Sequence, residues 1–432
     1  MQTTSNNYKV LLENKQAEYE VGVYVGNTFY SAEHIERDSM RTYGTLYNGK
    51  NGPTIGGATS REISLTLKGY QPISKNAVIR PQVRRVLRNR LTGEITAASE
   101  WLNKGVFYLD SRNPDDVSGT IQLHGFDIML ILESIPGDLG TDWFGMTPKT
   151  YVETLVQKLT EDGWTNVSVD ERSTIYDNVF LLKPTERTNA RQVMNWIATL
   201  HGANWTVSES GAFRLIPLSV AYSEAVLANE YESVILIGNT AIGVQGHSGG
   251  IGGYLDLGRE VDSLSVLPAF SPVTKVVISG KNGESFSAGT DGGYVVEAEC
   301  GFADNEEWAE VILNNSGLSG YIYRPLRATN AILDPAVELG DVVIVSGVAM
   351  QIASMTTIFD ELMTADIDAP SERESEYPKS TSIMGRDAQT ALDKAKDYTD
   401  EVTLTVEVVD ELPEDHAEHN TIWVIPYGTY KP

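Results

Sequence analysis

Residues 333–345, with the sequence LDPAVELGDVVIV, decide the fold class because they place a turn directly before an apolar strand. Aspartate, proline and glycine favour the turn, and the run of valine and isoleucine favours the strand. A second strand pattern follows at residues 352–360, with the sequence IASMTTIFD. Neither stretch has the features of enzyme machinery, so together they indicate a β-domain.

Two earlier stretches carry related patterns. Residues 99–112 (SEWLNKGVFYLDSR) indicate a strand pair, and residues 191–203 (RQVMNWIATLHGA) indicate a helix that leads into a strand, a turn and a strand. The turn at residues 334–341 has the pattern DP-x-x-x-x-GD, and residues 372–377 (ERESEY) form a charged exit from the last strand. All four stretches resemble parts of the hub proteins of bacteriophage tail baseplates. The resemblance covers most of residues 90 to 378.

The resemblance implies a mainly β fold with an α+β insertion: two tail-tube-like β-barrel domains, a small α+β domain, a C-terminal helix and a short β-module. It implies a homotrimer that adapts a sixfold tail tube to a threefold tip and keeps the DNA channel continuous. No catalytic residue, cofactor or metal is expected. The expected partners are the tail tube or distal tail protein and a further tip or fibre protein at the C-terminus. The expected location is the virion baseplate, after assembly in the host bacterial cytoplasm.

Composition agrees with a large β-rich chain. The 432 residues are 41% apolar, with 38 glycines and 17 prolines, which is enough for several buried cores. No apolar run approaches the ~18 residues that a membrane helix needs, and the first residues lack the pattern of a signal peptide. A soluble protein is therefore expected. The single cysteine, Cys300, cannot form an internal disulfide, which suits a reducing cytoplasm.

The net charge of −26 is concentrated near the C-terminus. Residues 360–432 contain 18 acidic and 6 basic side chains. This surplus repels phosphate backbones, so it argues against tight binding of nucleic acid. It is compatible with a channel wall along which DNA slides without specific contacts.

The sequence patterns predict five parts. These are a first β-barrel domain at 1–140, an α+β insertion at 141–222, a second β-domain with a tube-like barrel at 223–378, a helix at 379–405 and a short β-module at 406–432. The first part alternates apolar and polar residues as antiparallel strands do.

The insertion contains two predicted helices and a hairpin. The first helix begins after the N-cap Thr147, with proline at its first position, and ends at Gly163. The second runs over residues 188–201 and ends before a glycine. A strand, a turn and a strand are then predicted over residues 204–217.

The second β-domain contains a glycine-dense segment and one short helix. Residues 238–258 are predicted to form a loop. The helix is predicted to begin after a cap at Asp304 and to bury Trp308, Val311 and Ile312.

A helical seam is predicted near the C-terminus. Its residues have the 4, 3, 4, 3, 4 spacing of a heptad repeat: Met384, Ala388, Ala391, Ala395, Tyr398 and Val402. A bundle around a threefold axis is the favoured interpretation. The alternative is an amphipathic helix that lies on its own domain, because so short a seam is weak alone.

Several residues could suggest chemistry. Gly246-His247-Ser248-Gly249-Gly250 fits the letters of a nucleophile elbow, but the glycines after it are unlike the required helix. A flexible loop is therefore expected at Ser248.

Metal binding is not expected either. The six histidines lack the H-E-x-x-H spacing: His34, His124, His201, His247, His416 and His419. His416 and His419 are expected in a solvated acidic loop, although on a helix they would be able to ligate a metal. Asp366 and Asp368 are expected on one polar strand edge.

One basic cluster stands out within the first domain. It comprises Arg80, Arg84, Arg85, Arg88 and Arg90. Apolar residues interrupt it, unlike a nucleic-acid surface, so we expect a solvated strand or a subunit interface with carboxylate partners.

Two functions of other classes are the alternatives. The first is a tail-tip peptidoglycan hydrolase, which would need a further catalytic domain after residue ~380, where only 54 residues follow Pro378. The second is a carbohydrate-binding receptor-recognition protein that uses exposed tryptophan and tyrosine side chains.

Overall fold

A computed structural model describes most of the chain. It describes residues 2–14, 16–48, 52–185, 187–219, 233–237, 240–245, 254–255, 263–280, 283–345, 348–360, 363–369, 405–408 and 421–424. Residues 1–372 form one compact unit and residues 373–432 form another. No helix in the described part of the chain is long and apolar enough to cross a membrane.

Strands outnumber helices among the described residues of the first unit. The helices described there are α1 (Asn6–Glu13), α2 (Ile128–Ile131), α3 (Pro148–Glu161), α4 (Ala190–Leu200) and α5 (Glu307–Asn315), with short 3-10 turns at Ala32–His34 and Leu132–Ser134. The strands before residue 220 are β1 (Glu18–Val25), β2 (Thr28–Ser31), β3 (Arg41–Thr45), β4 (Glu62–Lys68), β5 (Val78–Arg88), β6 (Ile95–Ala98), β7 (Leu102–Asn103), β8 (Phe107–Asp115), β9 (Thr120–Phe126), β10 (Ser168–Val169), β11 (Ala203–Val207) and β12 (Ala212–Pro217).

The strands after residue 220 complete the sheets. They are β13 (Ser233–Ile237), β14 (Thr240–Gln245), β15 (Tyr254–Leu255), β16 (Ser263–Val266), β17 (Val273–Ser279), β18 (Ser285–Gly289), β19 (Tyr294–Glu299), β20 (Leu326–Ala331), β21 (Val342–Val345), β22 (Val348–Gln351), β23 (Ser354–Ile358) and β24 (Thr364–Asp368), followed in the second unit by β25 (Thr405–Val408) and β26 (Thr421–Val424). The mainly β class with small helical insertions is confirmed.

The largest sheet joins distant parts of the chain. Its 13 strands follow the order β16-β20-β24-β23-β3-β4-β9-β8-β5-β1-β2, with β6 and β7 paired to β5. Strands β3 and β23 pair antiparallel, with Thr45 opposite Ser354 and Arg41 opposite Ile358. Within the described residues this path does not close into a barrel. Strands from both predicted barrel domains therefore belong to one shared sheet.

Alternation along the strands produces the core, as the sequence predicts. In β4, Ile63, Leu65 and Leu67 are buried, while the residues between them are partly exposed. Side chains two residues apart lie on the same face of a strand, so these three enter one apolar layer. Burial of such side chains contributes about 1.5–3 kcal/mol each relative to full exposure.

The insertion has the predicted helices and hairpin. Helix α3 begins with a capping box in which the Thr147 hydroxyl accepts from the Thr150 N–H and the Thr150 hydroxyl accepts from the Thr147 N–H. Helix α4 has the same arrangement between Asn189 and Gln192. Strands β11 and β12 pair antiparallel directly after α4. These caps satisfy N–H groups that a helix start leaves without partners.

Helix α5 differs from its prediction in one face and in its cap. Asp304 lies before the helix and accepts from the indole N–H of Trp308 at 3.1 Å instead of capping the backbone. Ile312 is buried as predicted, but Val311 is 39% exposed. The inward positions are Ala309, Ile312 and Leu313, because α5 packs on β17 and β18 by that face.

Part of the predicted loop at 238–258 consists of strands. Strand β14 pairs with β13 and β21, and β15 pairs with β13, so these strands and β22 form a five-stranded sheet. The many glycines favoured a loop, although apolar residues alternate along this stretch as they do in a strand. Strand β21 is the strand predicted after the Gly340-Asp341 turn, and β23 is the strand predicted after it.

In the second unit the structure describes β25 and β26, which pair in parallel with Thr405 opposite Thr421. They lie within or at the border of the predicted β-module. The predicted seam residues and the exit at 372–377 lie outside the described residues.

The turn at Gly340 provides a test of the fold. Gly340 has a φ of +83°, and an added Cβ atom would overlap the side chain of Ile216. We expect Gly340→Ala to lower the free energy of unfolding by about 2–4 kcal/mol, through backbone strain and overpacking together. Chemical denaturation would measure the change.

Gly145→Ala is the matched control. Gly145 has a similar φ of +70°, but no atom lies within 4 Å of the added Cβ. Its cost should be limited to about 1 kcal/mol of backbone strain. Equal costs at the two positions would contradict the close packing of the turn.

Candidate functional site

The DP-x-x-x-x-GD turn is the centre of a buried network of charged side chains. Every residue from 331 to 342 is buried. The acidic residues Asp334, Glu338 and Asp341 are only 1%, 2% and 3% exposed. Buried carboxylates are costly unless they are paired and hydrogen-bonded. Their partners therefore decide what this turn does.

Asp334 holds the N-terminal segment and the turn itself. One carboxylate oxygen accepts from the Tyr8 hydroxyl at 2.6 Å and from the Ala336 N–H at 2.8 Å. The Gln2 N–H donates to the Ala336 carbonyl at 2.8 Å. Burial raises the pKa of Asp334, and it raises the pKa of Tyr8 well above its ordinary value.

Glu338 is shared between two arginines. Its Oε2 atom lies 2.6 Å from Arg172 Nη1 and 3.6 Å from Arg214 Nη1, and its Oε1 atom accepts from the Glu209 N–H at 3.1 Å. Burial opposes ionisation of Glu338, but Arg214 and Arg172 outweigh it and hold the pKa at about 2. Glu338 is therefore a carboxylate under ordinary conditions.

Asp341 and Asp170 complete the arginine pairs. Asp341 Oδ1 lies 3.1 Å from Arg214 Nη2, and its Oδ2 atom accepts from the Glu338 N–H at 2.8 Å. Asp170 binds Arg172 in a bidentate manner, at 2.8 Å from Nε and 2.5 Å from Nη2. Bidentate pairing of a guanidinium with a carboxylate fixes orientation as well as charge.

A third group of charges reaches the turn from the first β-domain. Lys104 Nζ donates to the carbonyls of Pro335 at 2.8 Å and Val337 at 3.0 Å, and lies 3.4 Å from Glu209 Oε1. Glu209 Oε2 lies 2.9 Å from Arg61 Nη2. The separation from Lys104 is that of an ion pair, but Glu209 Oε1 has no hydrogen bond within the described residues.

We call this set the ionic junction, and it consists of Arg61, Lys104, Asp170, Arg172, Glu209, Arg214, Asp334, Glu338 and Asp341. Arg61 and Lys104 come from the first β-domain, the four residues from Asp170 to Arg214 from the insertion, and the last three from the turn. Its four cations and five acids nearly balance. This arrangement can hold the three regions of the chain in one fixed geometry.

Sequence reasoning found the turn but missed its partners. Their sequence separations reach 326 residues, as for Tyr8 and Asp334. The available signal was the placement of Arg214 between apolar neighbours in Phe213-Arg214-Leu215-Ile216. A charge in a fully buried strand requires a charged partner.

The predicted arginine cluster follows β5, and two of its members pair with carboxylates within the chain, whereas the Nε atoms of Arg80 and Arg85 have no hydrogen-bond partner among the described residues. Arg84 pairs with Glu20 at 2.5 Å and lies over the ring of Trp101, and Arg88 pairs with Glu20 at 3.0 Å. The buried Arg85 lies over Tyr19, Arg80 lies over Tyr24, and Arg90 lies beyond the end of β5. A subunit interface at this cluster stays a prediction.

The other residues with possible chemistry do not come together. Asp366 accepts from the Asn330 N–H at 2.7 Å, and Asp368 pairs with Arg327 at 2.7 Å. In the described part of the chain no group of three or more His, Cys, Asp or Glu residues is placed to hold a metal ion. Burial raises the pKa of the Cys300 thiol to about 12.

The three described histidines lie in different elements. His34 and His124 lie in the first domain, and His201 ends α4. Ser248, His247, His416 and His419 lie outside the described residues.

A surface that the sequence did not reveal lies on the insertion. Phe144 is 96% exposed, Phe180 is 70% exposed and Leu182 is 38% exposed. Their two loops are joined, because Trp143 donates its indole N–H to the Leu181 carbonyl at 3.0 Å and the Leu181 N–H donates to the Met146 carbonyl at 2.8 Å. We call these three exposed side chains the phenylalanine surface. Exposed aromatic side chains of this kind commonly mark contact surfaces.

Comparison with known proteins gave structural neighbours only. No family model and no curated protein matches the chain. A 43 kDa tail protein of prophage MuSo2 from Shewanella oneidensis is 13% identical, with a TM-score of 0.46 over 82% of this chain and 98% of its own.

Two further solved structures are similar. A tail protein from Neisseria meningitidis MC58 is 10% identical, with a TM-score of 0.46 over 82% of this chain and 96% of its own. Prophage tail protein gp18 from Listeria monocytogenes EGD-e is 14% identical, with a TM-score of 0.42 over 86% of this chain and 98% of its own. All three of these solved structures are of tail proteins.

Glu338→Gln tests the ionic junction. The substitution keeps the shape of the side chain but removes the charge that Arg172 and Arg214 share, so we expect the free energy of unfolding to fall by about 3–5 kcal/mol. Glu33→Gln is the control, because the Glu33 side chain is 80% exposed and its loss should change stability by less than about 0.5 kcal/mol. Similar denaturation midpoints for the two variants would contradict a stabilising junction.

His201 gives stability a dependence on pH. Its Nε2 atom accepts from the Tyr176 N–H at 2.9 Å, so the ring is neutral, and burial lowers its pKa to about 4. Between pH 6.5 and 4 the unfolded chain binds more protons at this site than the folded chain, so acidification removes about 3 kcal/mol of stability.

We expect the stability difference between the wild type and His201→Gln to shrink by that amount from pH 7.5 to pH 4. Other titrating groups cancel in this difference because both proteins contain them. Denaturation curves at several pH values would measure it, and a constant difference would show that His201 is not buried as a neutral ring.

Proposed function

We propose that this protein is a structural component of a bacteriophage tail or phage-derived particle, and that it forms the trimeric hub of the baseplate. The proposal rests on the structural role of the turn motif that resembles the hub family. All three acidic side chains of the DP-x-x-x-x-GD turn are engaged inside the fold, where they fix the first β-domain and the insertion to the turn. The motif that resembles the hub family therefore holds parts of this chain together.

A hub must keep its shape while it transmits load between a tube and a tip. The ionic junction suits this requirement, because its arginine–carboxylate pairs are directional and lie where water does not screen them. The shared 13-stranded sheet adds backbone hydrogen bonds between the first and last parts of residues 1–372. Both features resist displacement of one part against another.

The phenylalanine surface suits contact between copies of the chain. Phe144 and Phe180 are positioned by the Trp143–Leu181 hydrogen bond, and exposed charged pairs flank them, Lys149 with Asp177 and Lys183 with Asp138. An apolar centre with a polar rim is the usual composition of a protein interface. We assign this surface to the trimer, together with the predicted seam at 384–402 and with the arginines of β5 as the second candidate.

The remaining parts of the function follow from the trimer. Three acidic chains around a channel would repel the DNA backbone and let it pass without specific contacts. The tail tube or distal tail protein would lie on one side, and a tip or fibre protein would attach at the C-terminal module. The protein would act in the virion and have no covalent chemistry of its own.

Light scattering on the purified protein tests the proposal. At moderate salt we expect a mass three times the 47.3 kDa chain mass, alone or once the tail tube protein is added. Phe144→Ser combined with Phe180→Ser should shift the protein to monomers, because it removes the apolar centre of the interface.

Val117→Ser is the matched control, since Val117 is a 98% exposed apolar residue in the turn between β8 and β9 and does not belong to this surface. It should leave the trimer intact. A monomer that also fails to join tail tubes would refute the hub, and an unchanged trimer in the double variant would remove the phenylalanine surface from the interface.

A further inference from the structure

Trp164 lines two cavities, one on the insertion and one formed mainly by residues of the first β-domain. The larger has a volume of about 450 Å³, and the smaller, toward the first β-domain, has about 160 Å³. The larger is within the usual size range of small-molecule sites. The side chain of Trp164 is half-buried and contributes to both walls.

The indole of Trp164 is held in place but keeps its polar group available. Its ring packs edge to face against Tyr108, with centroids 4.7 Å apart, and the Tyr108 hydroxyl donates to the Thr165 carbonyl at 2.9 Å. Trp143, Trp196, Trp205 and Trp308 each donate their indole N–H to a protein acceptor. Within the described residues, no acceptor takes the indole N–H of Trp164.

The larger cavity has an uncharged lining that combines polar side chains with Trp164, Val167 and Gly163. Besides Trp164, its polar lining side chains are Thr160, Thr165, Asn166, Ser168 and Ser210. Hydroxyl and amide groups can donate and accept hydrogen bonds, so they match a ligand that also does both. Without a lysine or arginine in the lining, a phosphate or another anion would lack a countercharge.

The loop that carries these groups is held in place by backbone hydrogen bonds and close packing. The backbone N–H of Trp164 donates to the Leu159 carbonyl at 3.0 Å, and β10 pairs with β12 directly after the loop. Gly211 has a φ of +96°, and an added Cβ would meet the Asn166 carbonyl at 2.5 Å, so the two loops lie in close contact. A preformed site loses less conformational entropy when a ligand binds.

The smaller cavity extends the site with apolar walls. Leu109, Phe126, Leu130 and Ile131 line it, with Lys75 and Asp110 among its polar residues. Asp127 also lines it, but its carboxylate is occupied by Ser60 at 2.8 Å, by the Arg61 N–H at 2.8 Å and by the Met129 N–H at 3.0 Å. A ligand that occupies both cavities therefore contacts the Trp164 ring, the apolar walls of the smaller cavity and the hydroxyl groups of the larger one.

We propose that these two cavities bind a neutral oligosaccharide, with Trp164 as the surface on which one sugar ring packs. A sugar ring presents apolar C–H groups on a face and hydroxyls around its edge, and this matches an indole beside a rim of hydroxyls and an amide. The indole N–H would donate to a sugar hydroxyl or ring oxygen. A wholly apolar ligand would leave the rim without hydrogen-bond partners.

Calorimetry on the full chain tests this inference. The probes are unbranched neutral trisaccharides of glucose, galactose and N-acetylglucosamine, and we expect at least one to bind saturably in the millimolar range or tighter. Trp164→Ala should weaken that binding at least tenfold, whereas Trp164→Phe should retain part of it because it preserves an aromatic face.

Trp101→Ala is the matched control, because Trp101 is another half-buried tryptophan that lies over Arg84, away from both cavities. It should bind as the wild type does. Thermal melts of all variants would identify any that fail to fold, and Trp164→Phe then decides in place of a misfolded Trp164→Ala. Absence of saturable binding by all three sugars, or equal binding by Trp164→Ala and the wild type, would overturn the proposal.

Discussion

The placement of Glu338 between Arg172 and Arg214 is the interaction on which the rest of the structure depends. A carboxylate that is almost fully enclosed pays a large desolvation cost, which only paired and correctly oriented cations offset. Here both cations come from the insertion, while the carboxylate comes from the turn before β21. The insertion and the C-terminal strands must therefore dock in one register, since a displaced arrangement would leave an ion buried alone.

The local parts of this fold could be predicted from sequence, but the long-range parts could not. Helix α3 was predictable because Thr147 and the following proline define its start and the apolar spacing defines its face. Residues 240–245 were misjudged because glycines outweighed the alternation in which they lie. The Val311 error came from a helix face that tertiary contacts set, which sequence spacing alone resolves only approximately.

Only part of the candidate site could be predicted from the sequence. The turn at 334–341 was recognisable by its residues, but Lys104 looked like an ordinary loop lysine in Asn103-Lys104-Gly105, although it is among the largest fully buried side chains. Its partners are backbone carbonyls more than 200 residues away. Such pairings follow from topology, and no local pattern encodes them. The same reason hid Phe144 and Phe180, which look like core residues in sequence.

The pairing of β3 with β23 has a consequence for how the protein is made. The two strands are about 300 residues apart, so at 5–20 residues per second a ribosome would need roughly 15–60 s to deliver the second after the first. During that interval the nascent chain carries an unpaired edge at β3, which is open to other strands. Covering this edge during synthesis would therefore favour the native pairing over association with other strands.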